Sequence, residues 1–207
     1  MSKDIAVEVL KYLDFNDGVY FDAGAQDGLF QSNTVILERA KNWTGILVEP
    51  SPAAYNSCLK NRSQEKNIII HGALVSADYG KPSIMGDFFG HPMNSIGGKR
   101  LNNVGNSVIE VPAYTMNEIL EKYNFGKIDF MSLDVEGFEY YALKDLNFEK
   151  WAPTYALIEW NVGEDELFPF MTNKGYENLG NISDFNLTDD PQWPQTHQDY
   201  LFKLKDK

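Results

Sequence analysis

Ala6, Val9, Leu10 and Leu13 recur at the i, i+3, i+4, i+7 spacing of an amphipathic helix, so the chain opens by laying one helical face on a core. The period then changes. Val19-Tyr20-Phe21 is a short apolar, β-favouring run that breaks at Asp22-Ala23-Gly24, the pattern of a buried strand entering a loop. A second helix is predicted over residues 32–41, with Ile36, Leu37 and Ala40 facing inward, and Gly45-Ile46-Leu47-Val48 follows as another buried strand ending at Glu49. Ser51-Pro52 starts a third helix, because the serine hydroxyl can cap it and proline at the first helical position loses no needed donor. Tyr55, Cys58 and Leu59 share one of its faces. Residues 67–71 form the third strand, Thr115-Met116-Asn117-Glu118 is a capping box opening a helix through Ile119, Leu120 and Tyr123, and residues 128–133 and 155–158 are the fourth and fifth strands, ending at Asp134 and Glu159.

Continuously apolar strands alternating with helices predict an α/β fold with a mostly parallel sheet covered on both faces. The tail differs: residues 176–182 and 200–204, separated by a polar, proline-containing stretch, read as a closing antiparallel pair. No repeat or second domain is visible, so residues 1–207 are read as one domain. Residues 76–107, rich in Gly, Asn and Ser, read as a long loop, small excursion or lid beside the site.

Composition narrows the class. Thirty acidic against 18 basic residues give a net charge of −12, a poor surface for gripping a phosphate backbone or an anionic membrane. Nucleic acid and membrane are therefore not expected partners. No apolar run approaches a membrane span, and Asp4 and Glu8 stand where a secretion signal would be basic and then apolar, which predicts a cytoplasmic protein. Cys58 is the only cysteine, so it forms no internal disulfide, and its helical position suits a small buried hydrophobe.

In an open parallel sheet, ligands bind beyond the carboxyl ends of the strands, where this chain places Asp22, Glu49, Asp134 and Glu159. The first loop, Asp22-Ala23-Gly24-Ala25-Gln26-Asp27-Gly28, has glycines where backbone must turn and approach a ligand, but its G-x-x-x-G spacing is not the dinucleotide fingerprint and disfavours a nicotinamide dehydrogenase. An acid before the loop suits a cationic head better than a pyrophosphate. Glu49, at the end of the next strand, can accept both hydrogen bonds of a ribose diol. Together they suggest an adenosine-type ligand without phosphates.

These residues carry a resemblance. Asp22-Ala23-Gly24-Ala25, Ser32-Asn33-Thr34, Trp43-Thr44-Gly45, Glu49-Pro50-Ser51-Pro52, Asp134-Val135-Glu136-Gly137-Phe138-Glu139 and Glu159, in that order, resemble the FkbM-type family of S-adenosylmethionine-dependent methyltransferases, from about Val19 to Glu159. The resemblance implies the class I methyltransferase fold, a Rossmann-like three-layer sandwich whose seven-stranded sheet has an antiparallel last strand, and methyl transfer most often to a hydroxyl oxygen. It implies a cofactor site in which Asp22, Gly24 and Gln26 line the methionine part, Ser32 and Asn33 help hold its carboxylate, and Glu49 takes the ribose, with Ala25 and Pro50 also at the cofactor. Ala73, between Gly72 and Leu74, would border the adenine, and Asp134 would close the site. The Gln26-Asp27 pair departs from residues common in relatives.

Because a sulfonium is already an activated donor, much of the catalytic work is holding an acceptor in line. A hydroxyl acceptor must also lose a proton, to a base or through a metal that lowers its pKa. The candidates are Asp134, Glu136, Glu159 and His91. If the chain stays extended beyond the fourth strand, Asp134 and Glu136 point to one side. Asp134, Glu159 and Asn161 make an oxygen-rich set suited to Mg²⁺ or Mn²⁺. Alternatively, Asp134 binds the methionine ammonium and Glu159 orients the substrate or serves as base. His91 reads either as a base reaching down from the excursion or as a surface histidine; His71 reads as structural, and His197 lies in the polar tail. Trp160, Phe168, Phe170 and Trp193 read either as core or as the wall of an acceptor pocket. The expected partner is a small-molecule or carbohydrate acceptor; N- or carboxyl-methylation and a catalytically silent cofactor-binding or interaction module are the other readings.

Overall fold

The predicted strands form a mostly parallel sheet closed by an antiparallel pair. A computed structural model describes residues 5–88, 108–161, 166–183 and 197–206. Its strands are β1 (Val19–Ala23), β2 (Thr44–Glu49), β3 (Asn67–His71), β4 (Ala73–Leu74), β5 (Ser83–Gly86), β6 (Ile109–Tyr114), β7 (Phe130–Leu133), β8 (Tyr155–Asn161), β9 (Tyr176–Asn181) and β10 (His197–Leu204). A seven-stranded sheet runs β3-β2-β1-β7-β8-β10-β9. The first five of these strands are parallel, and β10 is antiparallel to both its neighbours. The chain winds outward from β1 to β3 and then restarts at β7 on the other side of β1. A cleft opens beyond the strand ends where the order reverses.

Each sheet face is a hydrophobic layer. On one face Phe21, Ile46, Met131 and Ile158 pack with Ile119 and Leu120 of α4 (Met116–Lys122). On the other Tyr20, Leu47, Phe130 and Leu157 pack with Val9 of α1 (Ile5–Leu10), Leu37 of α2 (Val35–Lys41) and Cys58 of α3 (Pro52–Asn61). The helix starts follow the sequence signals: Ser51 Oγ accepts from the Ala54 N–H, and the Thr115–Glu118 capping box is formed in both directions.

Several expectations are corrected. Ala40 is exposed, and the side chain that α2 turns inward instead is Glu38, 4% exposed, because it pairs with a buried arginine. Residues 76–88 are not simply loop. Strand β5 pairs antiparallel with β6, which also pairs with β4, making a three-stranded sheet around Ile84, Val111 and Ala113. Pro112 had masked the alternation of Ile109, Val111 and Ala113 that marks a half-buried strand. The other part of the excursion, residues 89–107, lies outside the described residues.

The fifth predicted strand runs on to Asn161, and the last begins at His197 rather than Tyr200, since the polar residues 197–199 pair with 159–161. The helices α5 (Glu139–Leu143), α6 (Phe148–Trp151) and α7 (Leu167–Asn173) complete the cover. Among the described residues no helix is long and apolar enough to cross a membrane.

Candidate active site

At the switch point, β1 and β7 end side by side and their backbones close on each other. The Asp134 N–H donates to the Ala23 carbonyl at 3.0 Å, and a Cβ at position 24 would lie 1.7 Å from the Asp134 carbonyl oxygen. Only glycine fits there, and its φ of +83° is one that side chains resist. The N–H groups of Gly24 and Ala25 both donate to the Val48 carbonyl, which folds the loop over the end of β2.

The ladders then explain the acidic strand ends. Ala23 pairs with both Val48 and Leu133, Leu133 with Ile158, and Glu159 with Asp199. One step beyond, a single row crosses the sheet as Glu49, Gly24, Asp134, Glu159 and Asp199.

A cavity occupies this end of the sheet. All of Asp22, Gly24, Ala25, Gln26, Ser32, Asn33, Glu49, Pro50, Ala73 and Asp134 line it, so the structure brings together every predicted cofactor residue. Among its described lining residues there is no lysine or arginine. Residues not singled out from the sequence join the wall, notably Phe30, Ser132 and Phe88. Phe88 is buried by the small sheet, a long-range packing that no local pattern signalled.

Glu49 is 6% exposed, and its two carboxylate oxygens accept from the Ser51 N–H at 2.7 Å and the Gln26 N–H at 2.8 Å. Burial nevertheless pushes its carboxyl up to about 7, and the nearby Asp134 and Asp22 charges add to the rise. Gln26 adopts the left-handed region with φ 51°, which aims its N–H at Glu49. Asp22 accepts from the Thr34 hydroxyl. Burial raises the Asp22 carboxyl, while the Arg62 charge and the Thr34 bond pull it back. Asn33 Nδ2 donates to Ser132 Oγ at 3.1 Å, tying the segment before α2 to β7.

The acids beyond β7 are arranged differently from the expectation of an extended chain. Glu136 sits at φ 57° and Gly137 at φ 94°, so the chain turns immediately; Asp134 and Glu136 both reach the cavity wall, but through a turn. Glu139, fully buried, folds back so that its carboxylate accepts from the Val135 and Gly137 N–H groups. It joins Asp134 and Glu159, with one oxygen from each acid lying within 4.8 Å of the others. Glu159, 5% exposed, stands behind the cavity rather than on its wall.

The sequence reading missed Asp199, 9% exposed, whose carboxyl burial and the Asp134 charge push up to about 7. Its signal was alternation with Leu201 on the inward side of β10. His91 and Trp193 lie outside the described residues, as does the Asn161 side chain. Trp160, Phe168 and Phe170 do not line the cavity. Trp160 and Phe168 pack edge-on to Tyr200, and Phe170 edge-on to Tyr140 and Phe148, all against the core. His71 is structural, bonded to the Pro50 carbonyl at 3.0 Å and stacked on Tyr55.

With this geometry in place, comparison with known proteins assigns the family. The methyltransferase FkbM domain profile matches residues 22–178, spanning the cavity and most of the sheet. The chain belongs to the FkbM methyltransferase family. No curated protein matches it significantly.

Solved structures share the FkbM domain's fold at low identity. TrmK of M. capricolum, in complex with S-adenosyl-homocysteine, superposes with a TM-score of 0.51 at 11% identity, over 98% of this chain and 68% of that one. The human methyltransferase 10 domain containing protein gives 0.54 at 10%, over 99% and 83%. The precorrin-6y C5,15-methyltransferase from Geobacter metallireducens gives 0.51 at 10%, over 97% and 87%. These likenesses establish the class I methyltransferase fold of this FkbM domain.

Proposed function

We propose that this FkbM domain is an S-adenosylmethionine-dependent methyltransferase acting on a hydroxyl of a small molecule or sugar. The observation that carries the reading is the switch-point cavity, where Glu49, with both oxygens anchored by backbone N–H groups, faces a wall that also holds Asp22 and Asp134. Each Glu49 oxygen keeps a lone pair after its backbone bond, as a ribose diol needs. Pro50, Ala73, Leu74 and Phe88 supply an apolar side for a purine. The acids, uncountered by any cation on the described wall, suit a ligand that is positive at sulfur and amine.

When bound, S-adenosylmethionine supplies a methyl group already activated on a sulfonium. The chain's work is then to bind and orient, and to accept the proton the acceptor hydroxyl loses. Asp134 and Glu136 reach the cavity and are the proposed carboxylates for that role, with Glu159 behind them. The acceptor is a neutral hydroxylated compound rather than nucleic acid, in keeping with the acidic wall and the net charge of −12.

A divalent ion is a second reading, favoured by the close approach of Asp134, Glu139 and Glu159. Glu139 already accepts from two backbone N–H groups but retains lone pairs for a hard cation such as Mg²⁺ or Mn²⁺.

Calorimetric titration with S-adenosylmethionine and S-adenosylhomocysteine, with NAD as control, tests the cofactor. Micromolar binding of the sulfonium pair and none of NAD is expected. Methyl transfer to a panel of hydroxylated acceptors, in chelator and then in Mg²⁺, tests the chemistry. Cofactor binding without transfer to any acceptor favours a silent binding module, and equal rates in chelator and Mg²⁺ remove the metal.

A further inference from the structure

Beneath the cofactor cavity, and not on its wall, Arg62 closes the end of α3 with its side chain fully buried. Its guanidinium spends its donors on separate pieces of the cofactor side of the sheet. Nε donates to Glu38 at 2.5 Å and Nη2 to the Tyr20 hydroxyl at 2.6 Å. Nη1 faces the carbonyl of Gly28 at 3.3 Å, the Ser32 hydroxyl at 3.2 Å and the Thr34 hydroxyl at 3.1 Å. Thr34 in turn donates its own proton to Asp22.

The polarity of this chain is fixed by chemistry. A guanidinium can only donate, so Thr34 Oγ1 must accept from it, and the hydroxyl proton is left for the carboxylate. A charge-assisted bond at one end strengthens the one at the other. Gly28 completes the fit, since a Cβ there would lie 2.7 Å from Arg62 Cγ.

We propose that Arg62 is a positioning residue for cofactor binding, acting through the Thr34 hydroxyl to orient Asp22 and through Gly28 and Ser32 to fix the loop between β1 and α2. The proposal rests on the reading of the cavity as an S-adenosylmethionine site with Asp22 at its amino-acid end. It locates the determinant of amino-acid-end affinity in a side chain that never touches the ligand. Thr34 is the informative position. It stands at the N-cap of α2 but makes no side-chain capping bond, so Thr34→Val removes the relay hydroxyl while keeping a β-branched side chain and the helix start.

The experiment measures binding of S-adenosylhomocysteine and of 5′-methylthioadenosine, which lacks the amino-acid arm, to the wild-type chain, Thr34→Val, Thr34→Ser and Arg62→Lys, each checked for an intact urea transition. The expected result for Thr34→Val is about a tenfold loss for S-adenosylhomocysteine and less than about twofold for the truncated ligand. Thr34→Ser, which keeps the hydroxyl, restores binding, and Arg62→Lys, if folded, behaves as Thr34→Val. A folded Thr34→Val protein that binds both ligands normally, or loses both equally, overturns the relay. A wild-type chain that binds neither ligand overturns the cofactor reading and the relay with it.

Discussion

Gly24 and Asp134 meet backbone to backbone at the centre of the sheet, so close that a methyl group on residue 24 would lie 1.7 Å from the Asp134 carbonyl oxygen. This contact joins the loop after β1 to the acidic turn and leaves the position between Glu49 and Asp134 without a side chain. Gly24→Ala would meet both a backbone clash and a φ of +83°. It is expected to cost about 3 kcal/mol or more in urea unfolding and to abolish cofactor binding in calorimetry.

Glu49 offers a separable test of the ribose assignment. Glu49→Gln keeps the volume but loses the charge and one acceptor oxygen, and it is expected to weaken cofactor binding by about 1–3 kcal/mol. Affinity equal to wild type in the same titration would remove Glu49 from the ribose site.

Asp134→Asn is expected to lower methyl transfer at least about a hundredfold, with the urea midpoint and cofactor affinity much less affected, if Asp134 handles the acceptor proton. Near-normal turnover in a single-turnover assay would remove it from that role.

The buried acids make stability depend on pH. Burial holds the Asp199 and Glu49 carboxyls near 7 when folded, above their ordinary values of 3.8 and 4.5. Between those limits the folded chain keeps protons that the unfolded chain releases. The stability they contribute is complete below their ordinary values and is lost as pH rises through about 7. Asp199→Asn, neutral at every pH, is expected to be more stable than wild type at pH about 8, on the order of 2 kcal/mol, with the gap closing only toward pH about 4. Urea midpoints across that range check the sign.

Arg62 and Glu38 form a buried ion pair, which is costly to break from one side. Arg62→Met and Glu38→Met are each expected to destabilise by about 3–5 kcal/mol, and the double variant by clearly less than their sum. Simple additivity in a denaturation cycle would mean that the two charges do not depend on each other.

The amino-acid sequence by itself determined the alternation of strands and helices, the order of motifs and which loop residues line the cavity at the strand ends. These are local: apolar runs, Ser51-Pro52 and the Thr115 capping box act through their nearest neighbours along the chain, whereas the need for glycine at 24 and 28 comes from Asp134 and Arg62, distant in sequence. It also exposed acids at successive strand ends, because strand and loop differ in polarity. Only the tertiary structure decided which acids meet. Register put Asp199 beside Glu159, although a polar stretch separates them in the chain and hides where β10 begins. The turn at Glu136 and Gly137 brought Glu139 to Asp134 in place of an extended segment. Glu38 and Arg62, one within α2 and the other just past α3, carry no local signal of each other, and only folding buried them together. The physical reason is that periodicity reports which side of its own element a residue takes. The partner it finds there depends on how distant elements pack, and buried charge is stable only where that packing supplies its counterpart.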